Sequence, residues 1–161
     1  MKQRTKLVLA AGIAVAAVAW YFFRPDRAFI DARVSEAAPN VQSTVLLAGE
    51  FRPRTHDGRG LAQVLELPDG QRVLRFSSFE TLNGPDLQVY LLAAPDVRDR
   101  AGLETAGFVT LGALKGNVGD QNYVIPPGTD LSRYRAVSVW CRRFGVNFTT
   151  AELARGGQKS S

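Results

Sequence analysis

The stretch that decides the fold class is LAQVLELPDGQRVLRFSSF, residues 61–79. Leu61–Leu67 and Arg72–Phe79 are short runs rich in residues that favour strands, and the second run alternates, so that one face can be buried. Between them, Pro68-Asp69-Gly70-Gln71 is typical of a tight hairpin turn. The stretch therefore predicts two antiparallel strands joined by a hairpin.

Further segments of the same kind lie on both sides of this hairpin, separated by turn-forming residues: Thr44–Phe51, Leu87–Leu92, Phe108–Leu114, Asn122–Ile125, Ala136–Cys141 and Phe144–Ala151. Such spacings are typical of a sandwich, and this part of the sequence shows no sustained helical period. We therefore expect an all-β domain over residues 44–153, an antiparallel β-sandwich of about eight strands.

The N-terminal part of the chain has a different composition. Leu7–Phe23 is an unbroken run of 17 apolar or glycine residues, with three basic residues before it and Arg24 after it. Such a run is near the lower length limit for crossing a bilayer, and the heavier positive flank stays in the cytoplasm. We expect residues 1–23 to be a transmembrane signal anchor in the cytoplasmic (inner) membrane, crossing once, with the C-terminal domain periplasmic or extracellular.

A cleaved signal peptide is the alternative for this segment. Ala17-Val18-Ala19 fits the small-x-small cleavage pattern, although the apolar run continues past it through Trp20. Either reading exports the domain. Residues 24–43 are predicted to be a linker, with a short helix between Pro25 and Ala38, and residues 154–161 a disordered tail.

The basic character of the chain does not point to nucleic acid. The sequence has a net charge of +5, but residues 49–153 contain 12 Lys+Arg and 12 Asp+Glu. A fold that binds phosphates needs positive charge on the fold itself, whereas here the surplus lies in the flanks. We therefore expect no nucleic acid as a partner, and the charge beside the apolar run indicates a membrane instead.

Few residues are available for metal or haem chemistry. The chain has one cysteine, Cys141, one histidine, His56, and no methionine beyond the first residue. A blue-copper site needs two histidines and a cysteine, and a three-histidine zinc site needs three histidines, so we predict no metal site. Within one chain, haem could be held only by His56 with Cys141 or by a single ligand. The cofactor is left open.

Enzyme motifs are also scarce. The sequence lacks the phosphate-binding Gly-x-x-x-x-Gly-Lys-Ser/Thr pattern and the Gly-x-Ser-x-Gly elbow. Its candidate paired carboxylates, Asp86, Asp120 and Asp130, each lie in a turn-like context where aspartate is common. An enzyme that turns over a substrate is not predicted.

Three segments together resemble a known family. They are GPDLQVYL at 84–91, LGALKGNVGDQNY at 111–123 and AVSVWCRRFGVNF at 136–148. With Gly49-Glu50-Phe51 and His56 upstream, they are similar in order and content to the DM-thirteen domain, a family labelled "electron transfer" and regarded as a relative of the haem- or sugar-binding DOMON domains. The resemblance covers about residues 44–153 and implies a β-sandwich whose characteristic cysteine is Cys141.

The resemblance favours one function, for which the expected partner is an envelope redox protein, and a second, with an envelope binding partner, stays open. The first is a membrane-tethered extracytoplasmic domain of the electron-transfer type, with Cys141 as a redox or cofactor-ligating residue and His56 as a second ligand. Arg142 and Arg143 follow Cys141, and Arg143 is better placed to favour the thiolate because alternate residues share a face. The second is a non-catalytic binding or structural module of the cell envelope, in which Cys141 is buried packing.

Overall fold

The structure, a computed structural model, describes residues 2–23, 30–39 and 42–155. It begins with an α-helix, α1, Lys2–Phe23. Residues Thr5–Phe22 of this helix are long and apolar enough to cross a membrane, and none of them is buried against the rest of the protein. An N-terminal signal sequence meets the same criteria, so the helix is compatible with either a single-pass anchor or a signal sequence.

Within the described residues, ten strands form one curled, mixed sheet. The strands are β1 (Arg33–Ser35), β2 (Thr44–Pro53), β3 (Gly58–Glu66), β4 (Arg72–Thr81), β5 (Leu87–Leu92), β6 (Phe108–Ala113), β7 (Val118–Val124), β8 (Ala136–Cys141), β9 (Val146–Glu152) and β10 (Ala154–Arg155). Their order is β1-β7-β4-β3-β2-β9-β8-β5-β6, with β10 also pairing with β2. All pairs are antiparallel except β1 with β7.

The expectation of two packed sheets is wrong, because β2 joins what would be the two halves. Residues Thr44–Glu50 pair with β3, whereas Phe51–Pro53 pair with β9. One long strand therefore belongs to both halves, and the sheet curls around its core like a half-barrel instead of dividing into a sandwich. The strand number also exceeds the expected eight, since β1 and β10 were not predicted.

The eight predicted strands are present, and β5 and β8 have the predicted bounds. The largest difference is β7, which begins at Val118 instead of Asn122. A short helix, α2 (Arg100–Ala106), was not predicted; it begins after Asp99, whose side chain accepts a hydrogen bond from Gly102 N. Its seven residues are too few to produce a recognisable helical period in the sequence.

The expected short helix between Pro25 and Ala38 is wrong for the residues that the structure describes. Arg33–Ser35 form β1, which lies parallel to β7. We call residues 30–39 the N-terminal strap. Glu36 explains much of its position: its carboxylate accepts from Lys115 Nζ and from Asn122 N, each at 2.7 Å. Residues 25–29 and 156–161 lie outside the described residues, and the domain boundaries stay predictions.

The strap lies unusually close to the sheet. A Cβ at Gly119 would stand 1.9 Å from the carbonyl oxygen of Val34, and Gly119 also has a φ of +111°, which other residues rarely adopt. Asn117, which is buried, accepts from Ala32 N at 2.7 Å and donates to Asp31 at 2.9 Å. Glycine and asparagine at these positions therefore allow the strap to join the domain.

The main core lies inside the curl. Its aromatic centre consists of Phe51, Phe76 and Phe79, whose rings are 4.8–5.0 Å apart, with Tyr123 beside Phe76. A smaller cluster on the outer face of β5 and β8, around Trp140 and Tyr90, is covered by α2 and the segment before it. The two clusters bury opposite faces of the same strands, as the period of two requires.

Candidate functional site

Segments far apart in the sequence meet at one end of the sheet, which we call the cysteine end. Here β4 ends, β5 begins, β8 ends and β9 begins. Leu87, the first residue of β5, lies opposite Cys141, the last of β8. Cys141 in turn lies opposite Val146, the first residue of β9. The 84–87 segment and the turn after Cys141 are therefore brought into contact by strand register alone.

Cys141 is a free thiol beneath this end of the sheet. Its relative exposure is 0%, and it belongs to the main hydrophobic core with Leu87 and Phe148. The residues opposite it on both flanking strands are apolar. The sequence identified this cysteine, and the structure places it in apolar packing at the end of β8.

An ion pair follows Cys141 on the outer face of the sheet, where both of its charges lie near Tyr90, whereas Cys141 belongs to the main core on the other face. Arg142 Nε donates to Asp86 Oδ2 at 3.0 Å, and Arg142 Nη2 lies 3.4 Å from Asp86 Oδ1. The main chain adds a further bond, from Arg142 N to Asp86 O at 2.9 Å. The pKa of Arg142 is raised by its hydrogen bond to Asp86, with a further contribution from the charge of the carboxylate. Three bonds thus attach the residue after Cys141 to the β4–β5 loop.

Arg143, which we expected to favour a thiolate, has a different partner. Its Nη1 donates to the main-chain carbonyl of Phe22 at 2.5 Å, in the last turn of α1. Its side chain is exposed, as is that of Phe144. Among the described residues, the hydrogen bonds of Arg142 and Arg143 go to other groups than the sulfur.

His56 lies in the β2–β3 loop at the same end. Its ring is half-buried and packs against the ring of Phe148, with centroids 4.1 Å apart. Its main-chain N also donates to Phe148 O at 3.2 Å. Phe148 is therefore shared: it contacts His56 and belongs to the core cluster that contains Cys141. The ring of His56 is therefore positioned by Phe148, and its role as a ligand stays a prediction.

The described residues do not provide a metal centre of three or more ligands. Within residues 2–23, 30–39 and 42–155, no group of three or more His, Cys, Asp or Glu side chains could hold a metal ion. The thiol is enclosed by hydrophobic residues, and His56 packs against an aromatic ring. Binding of a cofactor by Cys141 or His56 stays a prediction.

The glycine-rich loop before β7 is held by buried polar groups. Gln121 Nε2 donates to Gly116 O at 2.9 Å, and Tyr123 Oη donates to Gln121 Oε1 at 2.7 Å. Lys115 N donates back to the tyrosine oxygen at 3.1 Å. Burial raises the pKa of Tyr123 far above its ordinary value, so the phenol stays protonated. These hydrogen bonds fix the shape of the loop.

A groove of about 450 Å³ opens beside this loop. It is lined by the start of the strap, the β4–β5 loop and residues 113–117. Asp86 lies on its edge, but its carboxylate is already bonded to Arg142 and to Gln88 Nε2, the latter at 2.9 Å. The polar groups of the groove thus have partners within the protein.

Sequence reasoning missed two parts of this region. The Asp86–Arg142 pair was missed because Asp86 has the sequence context of a turn residue. The strap contacts of Glu36 were missed because a run of polar and small residues reads as a linker. The only sequence signal for the Asp86–Arg142 pair was that both residues lie in the segments that resemble the family.

Three aromatic residues of the domain, Tyr90, Tyr123 and Trp140, are all buried. Comparison with known proteins adds one finding about the domain as a whole. No curated protein and no solved structure matches the chain. A family model, Electron transfer DM13, matches residues 50–153, which include both segments that meet at the cysteine end. This match spans more than half of the sequence and confirms the resemblance seen in its motifs. The chain therefore belongs to the Electron transfer DM13 family.

Proposed function

We propose that the chain is a redox-type domain tethered by α1 to the outer face of the cytoplasmic membrane, and that Cys141 is its redox-active residue. One observation carries the proposal: the 84–87 and 141–145 segments of the matched family region meet at Cys141, which lies opposite Leu87. A thiol is the most readily oxidised side chain that the chain possesses. His56 contributes through Phe148, by packing.

The burial of Cys141 sets a condition on this function. A thiol reacts only when a reagent or partner can reach the sulfur. The 142–145 turn directly follows Cys141, and the Asp86–Arg142 bonds attach that turn to the β4–β5 loop. We propose that local opening of this turn, without unfolding of the sheet, exposes Cys141 for reaction.

Native-state thiol labelling tests the proposal. The full chain is treated with a small alkylating reagent at increasing, non-denaturing urea concentrations. We expect slow labelling whose rate depends little on urea, because only a turn opens. Asp86→Asn should accelerate it several-fold by weakening the attachment of the turn. Glu80→Gln removes the comparable surface pair with Arg59 at another position and serves as the matched control.

The opposite labelling result would contradict the redox role of Cys141. If the labelling rate rises with urea as steeply as global unfolding does, and Asp86→Asn has no more effect than Glu80→Gln, only the unfolded chain exposes the sulfur. Cys141 would then have no redox role in the folded protein.

A second function is favoured by the complete burial of Cys141 among apolar residues. In this alternative the chain is an envelope binding or structural module, and the thiol is part of the core. A free cysteine that is only packing needs no opening of the turn. Labelling that occurs only through global unfolding supports this alternative.

A further inference from the structure

We infer that the cysteine end of the domain docks on the anionic lipid surface of the membrane that anchors α1. The inference rests on the proposed anchor and adds to it an orientation and a lipid-binding surface. Three observations carry it: the direction of the strap, the exposed apolar side chains and the arginines beside them.

The strap brings the chain into the domain at the cysteine end. The side-chain amide of Asn83, in the β4–β5 loop, donates to Ile30 O at 2.8 Å. From there β1 runs parallel to β7, with Arg33 opposite Val118 and Ser35 opposite Asp120. Because β7 runs away from the cysteine end, the first described residue of the strap lies at that end.

The chain between helix and strap is short. Helix α1 ends at Phe23 and the strap begins at Ile30, so seven Cα–Cα steps separate them. At most about 3.6 Å per step, this distance is at most about 25 Å, less than a bilayer's thickness. An anchored α1 therefore keeps the cysteine end close to the lipid surface.

The same end exposes large apolar side chains. Ile30 is 60% exposed, Leu82 51% and Phe144 58%. Ile30 and Leu82 adjoin the Asn83 contact, and Phe144 is at the tip of the turn held by Asp86. Apolar side chains at the tips of neighbouring loops, close to a bilayer, can insert into the headgroup region.

Exposed arginines surround Phe144. Arg142 and Arg143 precede it in the turn, and Arg100 Nη2 donates to the carbonyl of Arg142 at 3.0 Å. Asp86 neutralises Arg142, which leaves Arg100 and Arg143 to supply positive charge. Cationic side chains next to a membrane are attracted by anionic headgroups, so this surface suits an acidic bilayer.

Tryptophan quenching by brominated lipids tests the docking. The full chain is reconstituted in phosphatidylcholine vesicles, with and without phosphatidylglycerol, using lipids brominated near the headgroup. Phe144→Trp and Leu82→Trp place probes on the proposed surface. Val124→Trp is the matched control, because Val124 is also 58% exposed but pairs with Val73, at the opposite end of the sheet.

We expect the added emission of Phe144→Trp and Leu82→Trp, after subtraction of the parent, to be blue-shifted and strongly quenched. Quenching should be greater with phosphatidylglycerol and should fall in Arg100→Gln/Arg143→Gln. The added emission of Val124→Trp should be unquenched. If the surface probes are quenched no more than Val124→Trp, the docking inference is overturned.

Measurements on the parent chain, which has no added tryptophan, distinguish a failure of docking from a failure of the anchor. Trp20 lies in α1 and Trp140 is buried in the domain. Flotation of the parent with the vesicles and quenching of Trp20 show that the anchor is inserted. Loss of both would overturn the anchor, and with it the docking, whereas a quenched Trp20 with unquenched surface probes overturns docking alone.

Discussion

Replacing Cys141 by serine and, separately, by alanine measures how apolar the surroundings of the sulfur are. The thiol has no exposure, and its neighbours across the sheet are Leu87 and Val146. Serine keeps the size but adds a hydroxyl, and a buried hydroxyl without a partner costs about 1–3 kcal/mol. Alanine only removes the sulfur and leaves a small cavity, for about 1 kcal/mol. We therefore expect serine to destabilise the domain more than alanine.

The assay is urea unfolding of the full chain followed by β-sheet circular dichroism, with wild type and both variants compared at one pH. A loss of about 2 kcal/mol in Cys141→Ser relative to wild type should also lower the melting temperature, followed by the same signal during heating, by roughly 8 °C in a domain of this size. The opposite order, with serine as stable as wild type and alanine weaker, would mean that a polar group lies next to the sulfur. That result would refute the apolar site described above.

Two further predictions concern the core and the strap. Phe76→Ala removes a fully buried ring that contacts Phe51, Phe79 and Tyr123. In urea unfolding, this variant should lose about 3–5 kcal/mol of the free energy of unfolding, and a loss below about 1 kcal/mol would contradict the central position of Phe76 in the core. The pKa of Glu36 is lowered from its ordinary value of 4.5, first by the hydrogen bond from Lys115, so its stabilising effect is present at neutral pH and lost as the pH falls through the lowered pKa. Glu36→Gln should therefore be less stable than wild type near pH 7, with the difference shrinking in acid, whereas a pH-independent difference would argue against the ion pair.

The local pattern of the sequence was sufficient to predict the strands but not how the sheet closes. The period of two and the turn residues mark β5 and β8 with correct bounds, because each strand buries its own alternating side chains. The double pairing of β2 depends on β3 and β9, which lie on different sides of it in the sheet. No local feature of residues 44–53 indicates that the strand changes its pairing partner after Glu50.

The candidate site could likewise be predicted only in part from the sequence. Cys141 was found because it is the only cysteine and lies within a family motif, but its burial depends on Leu87, Val146 and Phe148, which local reasoning does not connect. Asp86 was interpreted as a turn residue because its partner, Arg142, lies 56 positions away. Polar residues whose partners are distant in the sequence carry no local signal, and the strap was missed for this reason.

If α1 is anchored as proposed, the direction of β1 decides which end of the domain faces the membrane. If β1 were antiparallel to β7, the strap would begin beside the β3–β4 hairpin, and the cysteine end would lie far from the bilayer. The observed parallel register places Ile30 beside Asn83 instead. The close fit of Val34 over Gly119 opposes sliding of the strap, because a displaced strand would lose that approach and the bonds of Asn117. A chain anchored through α1 would therefore keep its buried thiol near the membrane, so a redox partner of Cys141 is best sought among membrane-bound proteins.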